Sequence, residues 1–330
     1  MKFNITRQRA LPALITLFFT CLLGMYALIM GEPVALSLPA SESILGGYIS
    51  GFQADYPLWA AVISTLFIFI ATVKIGRFVS QNNLYSTATN IQIPLLGVFY
   101  WATCYGDDFL LSTLVAMLCT QALMGFMLSV RNESHLAPIF NASILLSFLP
   151  MFYTSAVAFW VVLPVILILI SATLREWIIA FCGLLLPFAM LSYIYWLCGF
   201  EILFVGESML SMLLSPAHLF SLTTIMPFHL AISALGLLLS LLSLLWIGSD
   251  VHKRRVRLQI TVAIFFASLL SLISPSATLL TLPLMAPMSA ILASLSVSML
   301  SARAANIIYT LLFILLLLSL FMPLYLELPV

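Results

Sequence analysis

Two adjacent carboxylates, Asp107 and Asp108, follow Gly106 between two apolar runs, 91–105 and 109–130. Neighbouring carboxylates in a tight turn repel each other. A divalent cation relieves that repulsion, and oxygen ligands suit magnesium, calcium or manganese. The pair is a candidate metal site, and magnesium or manganese is the cofactor it would take. Glu32 and Asp55 flank hydrophobic segments nearby, with Glu42 between them. A general base needs only one carboxylate within hydrogen-bond reach of the proton it takes. Asp107, Asp108, Glu32 and Asp55 therefore form the candidate catalytic set. His218 and His229 complete the candidates. His229 falls in the first turn of an apolar run, where an ionisable group is unusual and reads as functional by default. Each position also has a plainer reading: a solvated turn at Gly106-Asp107-Asp108, interfacial acids at Glu32 and Asp55, and a neutral imidazole bonded between helices at His229.

The elements that must position these residues are membrane spans. The chain has 330 residues, 63% hydrophobic and 7% charged, against about 25% charged in a soluble domain. Apolar runs of about 20 residues indicate transmembrane helices. The runs are too long and too continuously apolar for barrel strands, which alternate over about ten residues. The fold class is all-α, a polytopic transmembrane bundle of about 11 helices: 11–30, 57–73, 91–105, 109–130, 137–152, 155–174, 178–197, 226–247, 258–273, 277–300 and 304–322.

Direction comes from 251–257, Val-His-Lys-Arg-Arg-Val-Arg, which holds four of the twelve Lys and Arg residues. A cationic cluster between two membrane-length runs is expected to stay in the cytosol. Alternation from that inner loop (about 248–257) puts the amino terminus inside and the carboxyl terminus outside. It also places two long segments, about 31–56 and 199–224, on the outer face; neither contains Lys or Arg. All twelve basic residues then fall at inner positions and eight of the eleven acids at outer ones. A basic start followed by an apolar run also fits a cleaved signal peptide, but the run is long for one, and the first helix is read as retained. The whole chain, 1–330, is read as a single integral membrane domain. Arg175-Glu176-Trp177 is expected as an inner turn.

The five cysteines lie in or beside apolar runs without metal-binding spacing. Cys104 and Cys198 sit near outward helix ends, where pairing is one option and unpaired thiols acting as small hydrophobes the other. Trp59, Trp101, Trp160 and Trp196, with Tyr48, Tyr56, Tyr100, Tyr105, Tyr153, Tyr193 and Tyr195, gather near the outer boundary and are read as an aromatic belt. Gln92, Gln121, Asn141 and Asn306 are intramembrane amides suited to joining helices. A net charge of +1 offers no attraction for nucleic acid.

Three stretches carry a resemblance: REWIIAFCGLLLPFAMLSYIY at 175–195, IFNASILLSFLPMFY at 139–153 and TLLTLPLMAPMSAILAS at 278–294, with Arg257 entering a helix. Together they resemble an uncharacterised family of bacterial polytopic inner-membrane proteins. The likeness implies helix layout and orientation, not chemistry. More loosely, the chain is similar to GT-C type polyprenol-dependent glycosyltransferases. These have an acidic residue in a long first outer loop and an acidic, metal-holding motif between the third and fourth helices. Glu32 and Asp107-Asp108 occupy the matching places. The sequence departs from that pattern in having Glu32 outside any motif and no outward Lys or Arg to hold a lipid-linked phosphate.

These readings give three expectations. The first is a non-catalytic membrane subunit of an envelope assembly or secretion complex in the bacterial cytoplasmic (inner) membrane, its partners the bilayer and other envelope proteins. The second is a GT-C-like transferase using a polyprenyl-phosphate-linked sugar at the outer leaflet. The third is a transporter, which the absence of an inverted repeat disfavours.

Overall fold

The computed structural model describes residues 9–30, 43–85, 89–103, 108–130, 136–214, 227–245, 247, 252–271 and 281–325, and every structural statement below concerns these described residues. They contain no strand and thirteen α-helices. In order these are α1 (Ala10–Met30), α2 (Gly46–Asp55), α3 (Pro57–Gln81), α4 (Gln92–Thr103), α5 (Phe109–Ser129) and α6 (Leu136–Phe152), then a 3-10 turn (Thr154–Val157) and α7 (Ala158–Leu169). They continue as α8 (Leu174–Leu197), α9 (Phe204–Leu214), α10 (Pro227–Ser243), α11 (His252–Ser271), α12 (Thr281–Met299) and α13 (Ala302–Tyr325). Six helices are long and apolar enough to cross a membrane: α1, α3, α5, α8, α12 and α13.

The count is thirteen rather than eleven because α2 and α9 form inside the two segments expected as outer loops. Gly46, Gly47 and Gly51 make α2 a poor helix on propensity alone, and tertiary contacts override so weak a preference. Buried residues from the other eleven helices share one apolar cluster. α9 supplies Val205 and Met209 to a small satellite cluster, and Ile49 of α2 packs, partly buried, against both the main cluster and a second satellite.

Local sequence explains the faces. On α1, Ala13, Leu17, Thr20, Cys21, Gly24 and Ala27 are buried at three- and four-residue spacing. Ile15, Phe18, Phe19, Leu22, Tyr26 and Ile29 are exposed between them. Small residues turned inward and large apolar ones outward is the arrangement of a helix packed by close backbone approach with lipid outside. α4 is different: every residue from Gln92 to Ala102 is buried. Its side chains fill notches left by glycines on its neighbours. Ile93 covers Gly76 of α3, Phe99 covers Gly236 of α10, and Trp101 lies across Gly24 of α1, with ring atoms 2.3–2.4 Å from where a Cβ would stand.

Three local expectations are corrected. The basic cluster is not a loop, since α11 begins at His252 and carries it in its first turns. Arg175-Glu176-Trp177 is not a turn but the start of α8. Glu176 accepts from the Thr173 amide at 2.6 Å and from its hydroxyl at 3.0 Å, a reciprocal capping box. The helix expected over 155–174 stops at Leu169, and Ser171 takes a positive φ of 55° before the cap at Thr173. Cys198 is a free exposed thiol, as is Cys182, while Cys21 and Cys119 are buried; Cys104 lies outside the described residues.

The helix ends sort into two faces. At one, Leu28 near the end of α1, Ile49 of α2, Ala60 and Ala61 of α3 and Phe109 and Leu110 of α5 pack together. The Leu45 amide bonds the Met151 carbonyl at the end of α6, and α9 packs against the end of α8. Tyr26 and Phe321, 6.4 Å apart, bring the end of α13 to this face. At the other, the start of α11 meets the ends of α3 and α5. All nine described basic residues (Arg9, Lys74, Arg77, Arg175, Lys253, Arg254, Arg255, Arg257 and Arg303) lie toward this second face. Of the five described acids, Asp55, Asp108, Glu201 and Glu207 lie toward the first, and Glu176 toward the second.

Candidate functional site

Asp108 stands at the N-cap of α5 but makes no capping bond within its own helix. Instead Ser50 of α2 donates to its Oδ1 at 2.7 Å. The cap comes from the same neighbour, as the Leu110 amide donates to Gln53 Oε1 at 2.9 Å. A helix start leaves four amides without intrahelical partners, so a borrowed carbonyl there is worth about as much as a native cap, roughly 1 kcal/mol. Ser50 and Gln53 are three residues apart and share a face of α2. That spacing is why α2 docks where it does despite its glycines.

Burial pushes the Asp108 carboxyl above its ordinary value, and the Ser50 hydrogen bond pulls it partly back. Asp55, also on α2, is exposed two residues beyond Gln53 and does not share the face that meets Asp108. α2 therefore brings a hydroxyl to Asp108 and an amide oxygen to the Leu110 N–H, while its own carboxylate turns away. Glu32, Asp107 and His218 lie outside the described residues. His229 stands in the first turn of α10, its side chain likewise outside the description. Among the described residues no group of three or more His, Cys, Asp or Glu side chains could hold a metal ion. Those at this corner supply one carboxylate, bonded to Ser50 and raised by burial above its ordinary pKa. A divalent ion calls for several charged oxygen ligands, and of the Asp107–Asp108 pair Asp108 alone is among the described residues.

The opposite face holds a cluster whose division the sequence reading missed. Arg257 is 6% exposed. Its Nε donates to the Met127 carbonyl at 3.3 Å and a terminal nitrogen to the Asn82 carbonyl at 3.4 Å. Arg254 Nε donates to the Asn83 carbonyl at 3.0 Å. These carbonyls belong to the ends of α5 and α3, where the last turn lacks intrahelical donors and the helix dipole is negative. Arg254 and Arg257 thus close two helix ends, and a planar five-donor guanidinium suits such paired bonding better than an ammonium does. The three-residue spacing of the two arginines, beside apolar Val256 and Leu258, was the available signal. Lys253 and Arg255 flank Arg254 and are exposed.

Between the faces, hydroxyls bond backbone. Thr20, Thr113, Thr120, Ser240 and Ser294 donate to carbonyls three or four residues earlier on their own helices. Ser147 and Ser296 donate across helices to the Leu184 and Leu239 carbonyls, each at 2.5 Å. Tyr100 meets Thr120 inside the core. Gln92 donates to the Gly76 carbonyl at 3.2 Å, joining α4 to α3 as an intramembrane amide can, whereas Asn141 is exposed.

The sequence matches no protein-family model and no curated protein.

Proposed function

We propose that this chain is a non-catalytic membrane subunit of a bacterial envelope assembly or secretion complex, lying in the cytoplasmic (inner) membrane. Eleven helices span the bilayer in this reading, with α2 and α9 against the outer surface and the amino terminus in the cytosol. The observation that carries it is the distribution of polar chemistry. Described charges stand at the two faces, and most of the hydroxyls between them donate to backbone carbonyls, while those of Ser64, Thr72, Ser143 and Ser233 are buried without a described partner. Such an interior packs helices together, and among the described residues no charged side chain stands at mid-membrane of the kind that marks pumps and transporters. Basic residues at one face and four of the five described acids at the other support this sidedness, because Lys and Arg remain on the cytoplasmic side. Solubilisation in mild detergent followed by native electrophoresis tests the proposal. A stable larger assembly is expected, and a chain that always runs as a lone monomer overturns it.

A second reading has one observation in its favour, the docking of the first outer segment onto the Asp108 corner. In a GT-C-like transferase that corner would face the outer leaflet. Asp107 and Asp108 would hold a divalent cation, Glu32 or Asp55 would act as base, and a polyprenyl-phosphate-linked sugar would be the donor. Alanine at both aspartates should then abolish a cell-surface glycan, and unchanged glycans in the double variant exclude this activity.

A further inference from the structure

We infer that the basic face carries a docking surface for anionic phospholipid headgroups, formed by Lys253 and Arg255 at the start of α11 beside Lys74 and Arg77 in the last turns of α3. It rests on the reading that these helices lie in a bilayer. The cations of α11 divide by their partners. Arg254 and Arg257 are spent on the carbonyls of Asn83, Asn82 and Met127. Lys253 and Arg255 are exposed, as are Lys74 and Arg77. None of these four bonds or pairs with another described residue, unlike Arg254 and Arg257.

The two inward arginines bring the groups together, because each bonds the end of α3. Arg77 and Lys74 lie about 8 and 12 Å back along α3 from Asn82, at 1.5 Å per residue, on the helix whose end the α11 arginines hold. Among the described residues the one acid at this face is Glu176, buried and turned onto Thr173. Long basic side chains beside apolar helix surface reach naturally to the phosphate layer. A headgroup with net negative charge satisfies such a cluster, whereas a zwitterionic headgroup brings its own cation.

The test uses the full chain in detergent, with bound lipid counted by native mass spectrometry after adding phosphatidylglycerol or phosphatidylcholine of matched acyl chains. The wild type should retain phosphatidylglycerol preferentially, and the preference should fall as salt rises. Each basic group near an anionic surface contributes about fivefold, so Lys253→Gln with Arg255→Gln should weaken phosphatidylglycerol binding by about 25-fold. Phosphatidylcholine binding should not change. An absent or salt-independent preference in the wild type overturns the inference without any variant. So does a folded double variant that keeps the preference. Inorganic phosphate competing as well as the lipid would reassign the surface to a soluble anion and also overturn it. Resistance of the chain to alkaline extraction from membranes separates the two layers: an extracted chain defeats the bilayer reading, while a retained chain without lipid preference defeats this inference alone.

Discussion

Replacing Gly24 by alanine tests whether α4 is held by side chains seated on glycines. A Cβ at Gly24 would stand 2.3, 2.4 and 2.4 Å from three ring atoms of Trp101. Carbon atoms in contact prefer about 3.5–4.0 Å, so the ring would have to retreat by more than 1 Å. Trp101 is 1% exposed, packed on its other sides, and rigid. Overpacking costs about 1–3 kcal/mol, and three simultaneous overlaps on a buried ring belong at the upper end. Alanine recovers about 1 kcal/mol of helix propensity over glycine, leaving a net loss of about 2 kcal/mol. Gly47 supplies the control: it is helical, and a Cβ there meets nothing within 4 Å, so Gly47→Ala should gain up to about 1 kcal/mol. At about 2 °C per kcal/mol for a large chain, the first variant should melt about 4 °C lower and the second about 2 °C higher. Melting in detergent, followed by loss of the monodisperse peak, reads both. Adding Trp101→Leu to Gly24→Ala should cost less than the two single losses combined, since the changes share one contact. Equal melting of Gly24→Ala and the parent would refute the packing argument.

The other expectations concern the two faces. Because folding raises the Asp108 pKa, the folded chain binds that proton more tightly than the unfolded one, and stability falls as pH rises from the ordinary carboxylate value of about 3.9 upward. Asp108→Asn keeps an oxygen for Ser50 and removes the titration, so its melting profile should be flatter across that window and higher above it; an unchanged slope counts against the burial argument. Arg257→Ala should leave the Met127 and Asn82 carbonyls short of a donor, costing about 1–3 kcal/mol for each polar group stranded. Arg257→Lys should recover little of this, since an ammonium lacks the guanidinium fork; full recovery would mean that charge alone matters. Single cysteines at the exposed positions Ala54 and Lys253 should react with an impermeant maleimide from opposite sides of the membrane, and labelling from one side would remove the assigned orientation.

Much of the helical layout could be read in advance because apolar runs and lone charges are strong signals. An α-helix occupies each of the eleven runs, and the 251–257 cluster does stand at the opposite end of α5 from Asp108. What escaped notice was set by contacts between distant segments. Nothing local makes a helix of Gly46–Asp55; Ser50 and Gln53 make one by reaching residues 57 and 58 positions away. The division of the basic cluster was equally hidden, because two arginines and their neighbours look alike until the carbonyls of α3 and α5 claim one pair. Burial on every side of α4 could not be told from lipid exposure by hydropathy, since both environments favour the same side chains.

The enclosed position of α4 bears on how the protein is made. Every residue from Gln92 to Ala102 is buried, so this segment reaches its final surroundings only as its neighbours arrive. Its seat is completed by Gly236, more than a hundred residues later in synthesis. A half-translated chain must therefore shelter an unfinished centre until α10 emerges, and truncation before that point should yield a product that quality-control proteases remove quickly.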